Sequence, residues 1–438
     1  MRNGRSRCGL IGGGLSLFIM ACITLAGCTS ERVPNVESAV QPEEPVTSEQ
    51  TITMLTNRVD LIENGQMDKY AEPFEIAHPG TKIRFEGLAN YTADIMVKLS
   101  TRSMPDVLLL PTNLLSQDLP RYFEPLDDSM FEGMRFADYK SYQGLRYGLS
   151  TGASTVGIAY NKKAFQAAGI TALPTTLDAF YDACRKLKAA GITPIYLNYG
   201  AGWPMKLWGE ELVSFMTGDP AYLNAMVKTD APWQLDNAWG QAMTIVKTLI
   251  ARGYTESNLM ANQWEASKSK VASGEAAMYF NGNWIIQQVI DAGAKPDDIG
   301  FFPMPYDNGT KHYAPLLPDW FVGISKFSSN IELAQAWIEY FVKESSYVED
   351  SGFLPMMTSK EPALRQFQQF LSFSPTFVET ESPSDLFLEL AEKAQIPFWS
   401  GEYIQEWVVS NDLQSKFEAY NEKWKLARES VIPAVANP

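Results

Sequence analysis

The stretch that decides the fold class is GLRYGLSTGASTVGIAYNKKAFQAA, residues 144–168. Within it, residues 155–160 have the β-branched and apolar composition of a strand. Residues 161–168 have the pattern of a helix, and Gly169 follows as a typical helix terminator. A strand that leads directly into a helix is the repeating unit of an α/β protein, so this stretch predicts that class.

The chain before this stretch has the same order of elements. Residues 51–55 predict a strand, residues 67–77 predict a helix that a His-Pro-Gly turn ends, and residues 82–86 alternate as a second strand. Residues 105–110 contain a short apolar run that is typical of a parallel strand covered on both faces. Asp106 follows a proline at the start of this run and is expected to support the local backbone.

Two later helices are predicted from capping signals. Residues 175–178 resemble a capping box, and the apolar residues that follow recur at helical spacing on one face, with Cys184 among them. This position predicts that Cys184 is a buried core thiol rather than a reactive one. A second capping box is predicted at residues 329–332, before a helix that ends near Val342.

The first 28 residues have the features of an export signal. Three arginines precede an apolar run that contains no charged residue and is short for a membrane-spanning helix. The run ends in LAGC at residues 25–28, which resembles the lipobox where bacterial lipoproteins are cleaved and diacylated on cysteine. The sequence therefore predicts lipidation of Cys28, with an ordinary signal or a short membrane anchor as the alternative.

The remainder of the chain predicts a tether and a folded body. Residues 29–50 are rich in Glu, Pro, Ser and Thr and contain no aromatic residue, so we expect a flexible tether. About 390 residues follow, which predicts two packed domains. No further apolar stretch approaches the ~20 residues that cross a bilayer, so this body is expected to be soluble apart from its lipid. Only Cys184 lies in it, which excludes a disulfide framework.

Charge and histidine content argue against several classes of function. Removal of the signal, which has three Arg and no acidic residue, takes the net charge from −15 to −18 and argues against nucleic acid and anionic partners. Neither His78 nor His312 has a ligand-spaced neighbour, so no metal site, catalytic triad or cofactor is expected. A glycosidase's pair of carboxylates stays open, because the separation of two carboxylates is a structural quantity.

Tryptophan is the residue type that points to a ligand. All 11 tryptophans lie at or after position 203. Indole rings stack on the apolar faces of sugars while polar neighbours bind the hydroxyls, so the pattern suits an uncharged polyhydroxyl ligand. Most of the rings must nevertheless pack in the core, and Trp208, Trp239 and Trp337 are expected there because they lie within helical patterns.

Five blocks of sequence resemble family 1 extracellular solute-binding proteins, the relatives of maltose-binding proteins. Residues 144–168 are similar to the segment in which the family's chain first crosses between its lobes. The other blocks are MPDVLLL at residue 104, SGEAAMYFNGNW at 273, IGFFPMP at 299 and WFVGISKFSSNIELAQAWIEYFV at 320. The five lie in the family's order and are spread over residues 51–345.

The resemblance implies a two-lobed α/β fold of the type II periplasmic-binding-protein class, with a ligand cleft between hinged lobes. The expected lobes are residues 51–155 with 306–343 and residues 156–305 with 344–438. It also implies a monomeric receptor rather than an enzyme, one that captures a carbohydrate, an oligosaccharide being expected, for the transmembrane subunits of an ABC permease. With the lipobox, the expected location is the extracellular face of the cell membrane, facing the periplasm if the organism has an outer membrane.

The resemblance also implies candidate ligand-binding residues. In the family, the Trp of an Asn-Gly-x-Trp turn commonly stacks on a sugar ring, and Asn281 and Trp284 match that turn here, with packing beneath the turn as the alternative for Trp284. Asn57 and Arg58 occupy a position of polar contacts, although a solvated loop is an equal alternative. Asn113 lies where maltose-binding relatives have an aromatic and an acid, and the loss of both puts maltose itself in doubt.

Further candidates lie in segments that the resemblance places near the cleft. Trp203 follows a strand of the second lobe, and Asp319 and Trp320 precede the strand that returns to the first. Trp320 can equally cap the hinge. A C-terminal loop region that often reaches the cleft contributes three more candidates, which are Trp399, Glu402 and Tyr403.

Three alternative functions stay open. The same fold can bind a non-sugar solute such as a polyamine, a phosphorylated polyol or iron, although no arginine cluster or iron-ligand set is visible. A lipid-anchored glycoside hydrolase is the enzymatic alternative, and a purely structural surface lipoprotein is the third.

Overall fold

A computed structural model describes residues 50–102 and 104–432. The predicted signal, the lipobox with Cys28 and nearly all of the predicted tether lie outside the described residues. Within them, no helix is long and apolar enough to span a membrane. The strands are β1 Gln50–Thr56, β2 Thr81–Gly87, β3 Val107–Leu109, β4 Phe123–Glu124, β5 Ser141–Tyr142, β6 Leu145–Arg146, β7 Leu149–Ser150, β8 Ala153–Ser154, β9 Val156–Asn161, β10 Thr193–Tyr196, β11 Ala276–Gly282, β12 Ile299–Phe302, β13 Tyr313–Pro318, β14 Phe321–Ser325 and β15 Thr376–Glu379.

Helices alternate with these strands along most of the chain. They are α1 Val59–Glu63, α2 Gln66–Ala77, α3 Tyr91–Thr101, α4 Leu119–Tyr122, α5 Lys162–Ala167, α6 Leu177–Ala189, α7 Leu212–Thr217, α8 Tyr222–Ala225, α9 Ala238–Ala251, α10 Trp264–Ser273, α11 Ile285–Asp291, α12 Ile331–Lys343, α13 Tyr347–Asp350, α14 Gln366–Leu371, α15 Asp385–Lys393, α16 Glu402–Val409 and α17 Leu413–Val431. One π-helical turn, Leu207–Glu211, directly precedes α7. The α/β class predicted from the sequence is confirmed.

We propose that lobe I is built on the six-stranded sheet in the order β2-β1-β3-β14-β4, in which β7 is also paired to β14. Strand β1 is parallel to β2 and β3, whereas β14 is antiparallel to β3. The predicted elements at residues 51–55, 67–77 and 82–86 are β1, α2 and β2. Asp106 supports this sheet as expected, because its carboxylate accepts from the Thr53 N–H at 2.9 Å and from the Ser328 hydroxyl at 2.6 Å.

We propose that lobe II is built on the four-stranded sheet in the order β10-β11-β9-β12. Strands β10 and β11 are parallel, and β9 is antiparallel to both β11 and β12. The switch from β9 to α5 depends on Asn161, whose Oδ1 accepts from the Ala164 N–H at 3.0 Å as an N-cap. Helix α6 is capped in the same way by Thr176, which accepts from the Ala179 N–H.

A third, three-stranded sheet in the order β15-β13-β8 lies where the chain passes between the lobes. The predicted boundary at residue 155 falls between β8 and β9, and the one at residue 305 falls between β12 and β13. The predicted boundary at residue 343 is the end of α12, yet Tyr347 beyond it packs on Tyr70, with ring centroids 5.8 Å apart. Since the Thr358 N–H also donates to the Gly133 carbonyl, we propose that this return crossing lies after residue 358.

The core contains most of the tryptophan. Trp208, Trp239 and Trp337 are at most 1% exposed, as expected from their helical patterns, and Trp233, Trp407 and Trp424 are equally buried. Cys184 is completely buried, and burial raises the pKa of its thiol, so the prediction of an inert core cysteine is confirmed.

The capping box predicted at residues 329–332 is wrong. Helix α12 begins at Ile331, and no side chain caps its N-terminus. The nearby Ser328 hydroxyl donates to the Asp106 carboxylate and accepts from the N–H of Asn330, the residue before the helix. Ser328 therefore shapes the turn before α12 and does not accept from an N–H of the first helical turn, so the helix has no side-chain cap.

Candidate functional site

The loops that follow the parallel strands of both lobes lie at one edge of each sheet. In lobe I this edge contains Asn57 after β1 and Trp320 just before the antiparallel β14. In lobe II it contains Leu197 after β10 and Trp284 after β11. Because β8 and β9 connect these two edges directly, the edges meet at the crossing between the lobes. Ligands of open α/β sheets bind outside such carboxyl edges.

Three indole rings meet at the lobe II edge, and we call Trp203, Trp264 and Trp284 the tryptophan corner. Their ring centroids are 4.9 Å apart for Trp203 and Trp264, 5.9 Å for Trp203 and Trp284, and 6.0 Å for Trp264 and Trp284. All three side chains are partly buried, in contrast to the six tryptophans of the core. The corner therefore has packed rings with solvent-facing surface, as a stacking site for a sugar requires.

Each ring of the corner is positioned by a different element. Trp284 follows β11 and immediately precedes α11, and Gly282 lies beneath it, since a Cβ there would come within 2.2 Å of the indole nitrogen. Trp264 is the first residue of α10. This helix directly precedes β11 and runs antiparallel to it, so its N-terminus lies at the edge where β11 ends. Trp203 follows Gly202, whose φ of 77° places it in the left-handed region that favours glycine.

Asparagines of the same turn tie the corner to the crossing between the lobes. Asn281 is buried and its Oδ1 accepts from the Gly282 N–H at 2.8 Å, so its side chain shapes the turn. Asn283 is completely buried, accepts from the Thr155 N–H at 2.7 Å and donates to the Gly352 carbonyl at 2.6 Å. These bonds join the start of β9, the end of β11 and the segment that follows α13.

Charged and hydroxyl groups gather at the lobe I edge, and we call Arg58, Asp60, Thr151, Asp319 and Tyr347 the lobe I polar cluster. The Arg58 guanidinium pairs with the Asp60 carboxylate at 2.8 Å. The Thr151 hydroxyl donates to Asp319 at 2.9 Å. Tyr347 is buried, and Arg58 is close enough to it to affect the pKa of the phenol. The cluster offers donors and acceptors of the kind that bind sugar hydroxyls.

The electrostatics of this cluster extend to lobe II. Burial raises the pKa of Asp319, although the Thr151 hydroxyl and the charges of Arg58 and Lys206 oppose the rise. Burial also acts to raise the pKa of Asp60, but the hydrogen bond and charge of Arg58, helped by Lys268, outweigh it and lower the pKa. Lys206 and Lys268 belong to lobe II, so carboxylates of one lobe lie within electrostatic range of lysines of the other.

Trp399 and Tyr403 meet at a buried carboxylate of the π-helical turn. Glu210 is 1% exposed, and its Oε1 accepts from the Trp399 N–H at 2.8 Å and from the Tyr403 hydroxyl at 2.9 Å. Trp399 itself is partly buried and has a left-handed φ of 67°. Tyr403 is 1% exposed, so the structure places it in the core rather than at the cleft surface.

The remaining predicted residues have separate positions. Trp320 is partly buried and packs on Tyr91, with ring centroids 5.1 Å apart, while its carbonyl accepts from Thr151. Asn57 is partly buried beside Arg58, whereas Asn113 and Glu402 are exposed. The structure thus brings Trp203 and Trp284 together, and it brings Arg58 and Asp319 together. It keeps Tyr403 apart from both groups.

The sequence did not single out Trp264, Asp60, Thr151, Lys206, Lys268 or Tyr347. Trp264 is the first residue of a short polar helix. Nothing in that pattern indicated that it contacts a ligand rather than packing in the structure. The lysines and Asp60 are common surface residue types, and only the folded chain brings them within electrostatic range of Asp319 and Arg58. The one available signal was the neighbourhood of Asp60, which lies two residues from the predicted Arg58.

Two α/β lobes whose carboxyl edges meet at hinge crossings define the class of type II two-lobed binding proteins. The chain belongs to the family described as bacterial extracellular solute-binding protein, whose sequence model matches residues 60–347. A relative from Brucella suis, described as a "Probable sugar-binding periplasmic protein", is 29% identical over 203 residues. That alignment covers 45% of this chain and 46% of the relative, so the chain matches about half of the relative's length.

Two solved structures from Bifidobacterium animalis subsp. lactis are similar over most of the chain. BlMnBP1, a binding protein of an ABC transporter in complex with mannobiose, has a TM-score of 0.78 and 26% identity. BlMnBP2, a manno-oligosaccharide specific solute binding protein in complex with mannotriose, has a TM-score of 0.79 and 25% identity. Each comparison covers 87% of this chain and 95% of the other.

Proposed function

We propose that the protein is the receptor of a bacterial ABC importer, which captures an uncharged oligosaccharide and delivers it to the transmembrane subunits of the permease. The observation that carries this proposal is the tryptophan corner at the lobe II edge. Partly buried indole rings beside a cleft offer apolar faces on which the C–H groups of a sugar can stack. The lobe I polar cluster supplies hydrogen-bonding groups on the opposite side.

The similar proteins support a carbohydrate as the ligand class. Of the two similar structures, one contains mannobiose and the other mannotriose, and the Brucella relative is described as sugar-binding. We therefore take manno-oligosaccharides as the first ligands to test. Anionic sugars fit less well, because Arg58 pairs with Asp60 and Lys268 pairs with Glu265 at 2.9 Å, which leaves neither cation free for an acidic ligand.

Trp284 and Trp203 are the proposed stacking residues, and Arg58, Asp319 and Asn57 are the proposed partners of hydroxyl groups. Trp320 flanks this group from lobe I. Asn281 is proposed to act through the turn that it shapes. Asn113 and Glu402 are too exposed, and Tyr403 too buried, to be central to the site, whereas Trp399 belongs to the loop behind Trp203.

Binding without chemistry is part of the proposal. The matching family consists of extracellular solute-binding proteins, and the similar structures are binding proteins of transporters. The proposed receptor works as a monomer and needs no cofactor, because an importer's receptor only has to bind, close and release.

A lipid on Cys28 is the proposed anchor at the extracellular face of the membrane. The support is the LAGC sequence at residues 25–28, which follows a positively charged start and an apolar run. We expect Cys28→Ala to be exported but not anchored, because the thiol is the acylation point of the lipobox. Detergent phase separation measures this directly. Partitioning of the variant into the detergent phase as complete as that of the wild type would refute the anchor.

A thermal-shift screen tests the proposed function. The panel contains mannobiose, mannotriose, maltotriose, raffinose, xylotriose and galacturonic acid trimers, with spermidine as a non-sugar solute. A ligand at 100 times its dissociation constant stabilises the folded state by about 2.7 kcal/mol, which raises the melting temperature visibly. We expect a shift with at least one neutral oligosaccharide. The proposal would be overturned if no sugar raised the melting temperature, or if the protein hydrolysed chromogenic glycosides.

A further inference from the structure

The three rings of the tryptophan corner differ in orientation. Two of them, which we call the floor, form one surface, and the third, which we call the wall, bounds it. The planes of Trp203 and Trp284 are inclined by 38°, so the two rings form one bent surface. Trp264 stands at 76° to Trp203 and at 67° to Trp284. Trp264 contacts both rings and is inclined steeply to the plane of each. It therefore limits the surface that Trp203 and Trp284 form. Trp264 is therefore the side wall of the corner.

The wall is fixed in place by its own helix. The Lys268 ammonium lies 4.9 Å from the centre of the Trp264 ring, and both carboxylate oxygens of Glu265 bind that ammonium at 2.9 Å. Lys268 is 8% exposed, and a cation over an indole is attracted more strongly when water is excluded. Trp203 and Trp284 also contact the Trp264 ring. A swing of this ring out of the way would break contacts with both.

Lobe I approaches the same wall. Asp60, which pairs with Arg58, lies within electrostatic range of Lys268. The lysine on the Trp264 ring and the charged pair of the opposite lobe are thus within electrostatic range of each other. A sugar chain that continued past Trp264 would have to separate the largely buried Lys268 ammonium from the carboxylates of Glu265 and Asp60, which is costly.

We infer that Trp264 ends the binding surface, so that the corner takes the terminal ring of an unbranched oligosaccharide. This inference rests on the proposed sugar-binding function and adds the part of the ligand that is recognised. The terminal ring stacks its C–H face on Trp203 and Trp284 and brings its edge against Trp264. A branch or label on that ring collides with the wall, whereas the rest of the chain leaves towards the open side.

The test measures affinities by calorimetry for mannotriose, or for the panel trisaccharide that binds most tightly, and for two derivatives substituted on either terminal ring. Wild-type protein is expected to bind one derivative about tenfold or more weakly and to tolerate the other. Trp264→Ala is expected to weaken the parent sugar about tenfold and to reduce the discrimination between the derivatives to about threefold or less. Trp264→Phe keeps a smaller ring at this position, so its affinity and its discrimination between the derivatives are expected to lie between those of the wild type and Trp264→Ala.

Two lysine variants of the same helix provide the matched control. Lys268→Met removes the cation from the Trp264 ring and is expected to reduce the discrimination, whereas Lys270→Met changes a lysine near Tyr196 and is expected to leave it intact. Equal tolerance of both derivatives by the wild type would overturn the inference, as would unchanged discrimination in Trp264→Ala. In either case, sugar binding by the wild type leaves the proposed function standing. If the wild type binds no sugar, both proposals fail.

Discussion

Trp284 is held by the geometry of its turn, with Gly282 beneath the ring and Asn281 bonded to the turn backbone. Part of the ring remains exposed, so the side chain is not needed to fill the core. We expect Trp284→Ala to weaken sugar binding by about 2 kcal/mol or more, which is about thirtyfold, because a stacking ring acts when a sugar covers it. Calorimetry with the sugar found in the screen measures this loss.

The control for this variant is a tryptophan of the core. Trp208 is 1% exposed, and truncation of such a ring removes ~3–5 kcal/mol of folding stability. Trp208→Ala should therefore lower the melting temperature of the ligand-free protein sharply, whereas Trp284→Ala should change it little. A similar collapse of both variants would assign Trp284 to packing and leave Trp203 as the next stacking residue to test.

Burial divides the tryptophans into core residues and partly exposed residues. Sequence patterns predict this division only in part. Five of the eleven side chains are partly buried, namely Trp203, Trp264, Trp284, Trp320 and Trp399. Four of these were candidates from the sequence, because they lie beside turns or strand ends. Trp264 was not, since it begins a polar helix, and its contact with the other two rings joins positions that are distant in the chain.

At the scale of elements, periodicity predicted the strands and helices that bury a continuous apolar face. It could not predict the π-helical turn Leu207–Glu211, because that turn depends on where Glu210 finds its partners, Trp399 and Tyr403, nearly two hundred residues later. Such turns are rare and often occur at functional sites. Here the turn binds the N–H of Trp399, in a loop that approaches Gly202 next to Trp203.

The same turn predicts a measurable pH dependence. Burial raises the pKa of Glu210 to about 7 from an ordinary value of 4.5, against the opposing charge of Lys206. Between these values the folded protein binds more protons than the unfolded chain, so this group's contribution is present at low pH and is lost as pH rises through 7. Glu210→Gln cannot ionise and keeps an acceptor for Trp399 and Tyr403.

We therefore expect the stability of Glu210→Gln relative to the wild type to increase from pH 5 to pH 8, by on the order of 2 to 3 kcal/mol. Urea unfolding at several pH values measures this difference. Glu402→Gln, which removes an exposed carboxylate from the neighbouring helix, is the control for a general effect of charge. A difference that stays constant with pH would show that Glu210 is not protonated on folding.

At the scale of the whole molecule, two lobes and their first crossing follow from local patterns, but the course of the returning chain does not. Tyr347 packs on Tyr70 and on Phe341, with ring centroids 5.8 Å and 4.5 Å apart. One of these partners is nearly three hundred residues away in sequence. Patterns within a short window carry no information about such pairings, which is why the sequence predicted residues 344–358 as part of lobe II, whereas we propose that they belong to lobe I.

The arrangement of the lobes leads to a last prediction about motion. The tryptophan corner belongs to lobe II and the lobe I polar cluster to lobe I, so a sugar that contacts both connects the two lobes across the crossings formed by β8, β13 and β15. A ligand that binds the closed arrangement better shifts the equilibrium towards it. We expect the radius of gyration in small-angle scattering to decrease when saturating sugar is added. Trp284→Ala at the same sugar concentration should show a smaller decrease, because fewer molecules are occupied, and should match the wild type once its own sites are filled. An identical radius with and without saturating sugar in the wild type would mean that binding does not close the lobes.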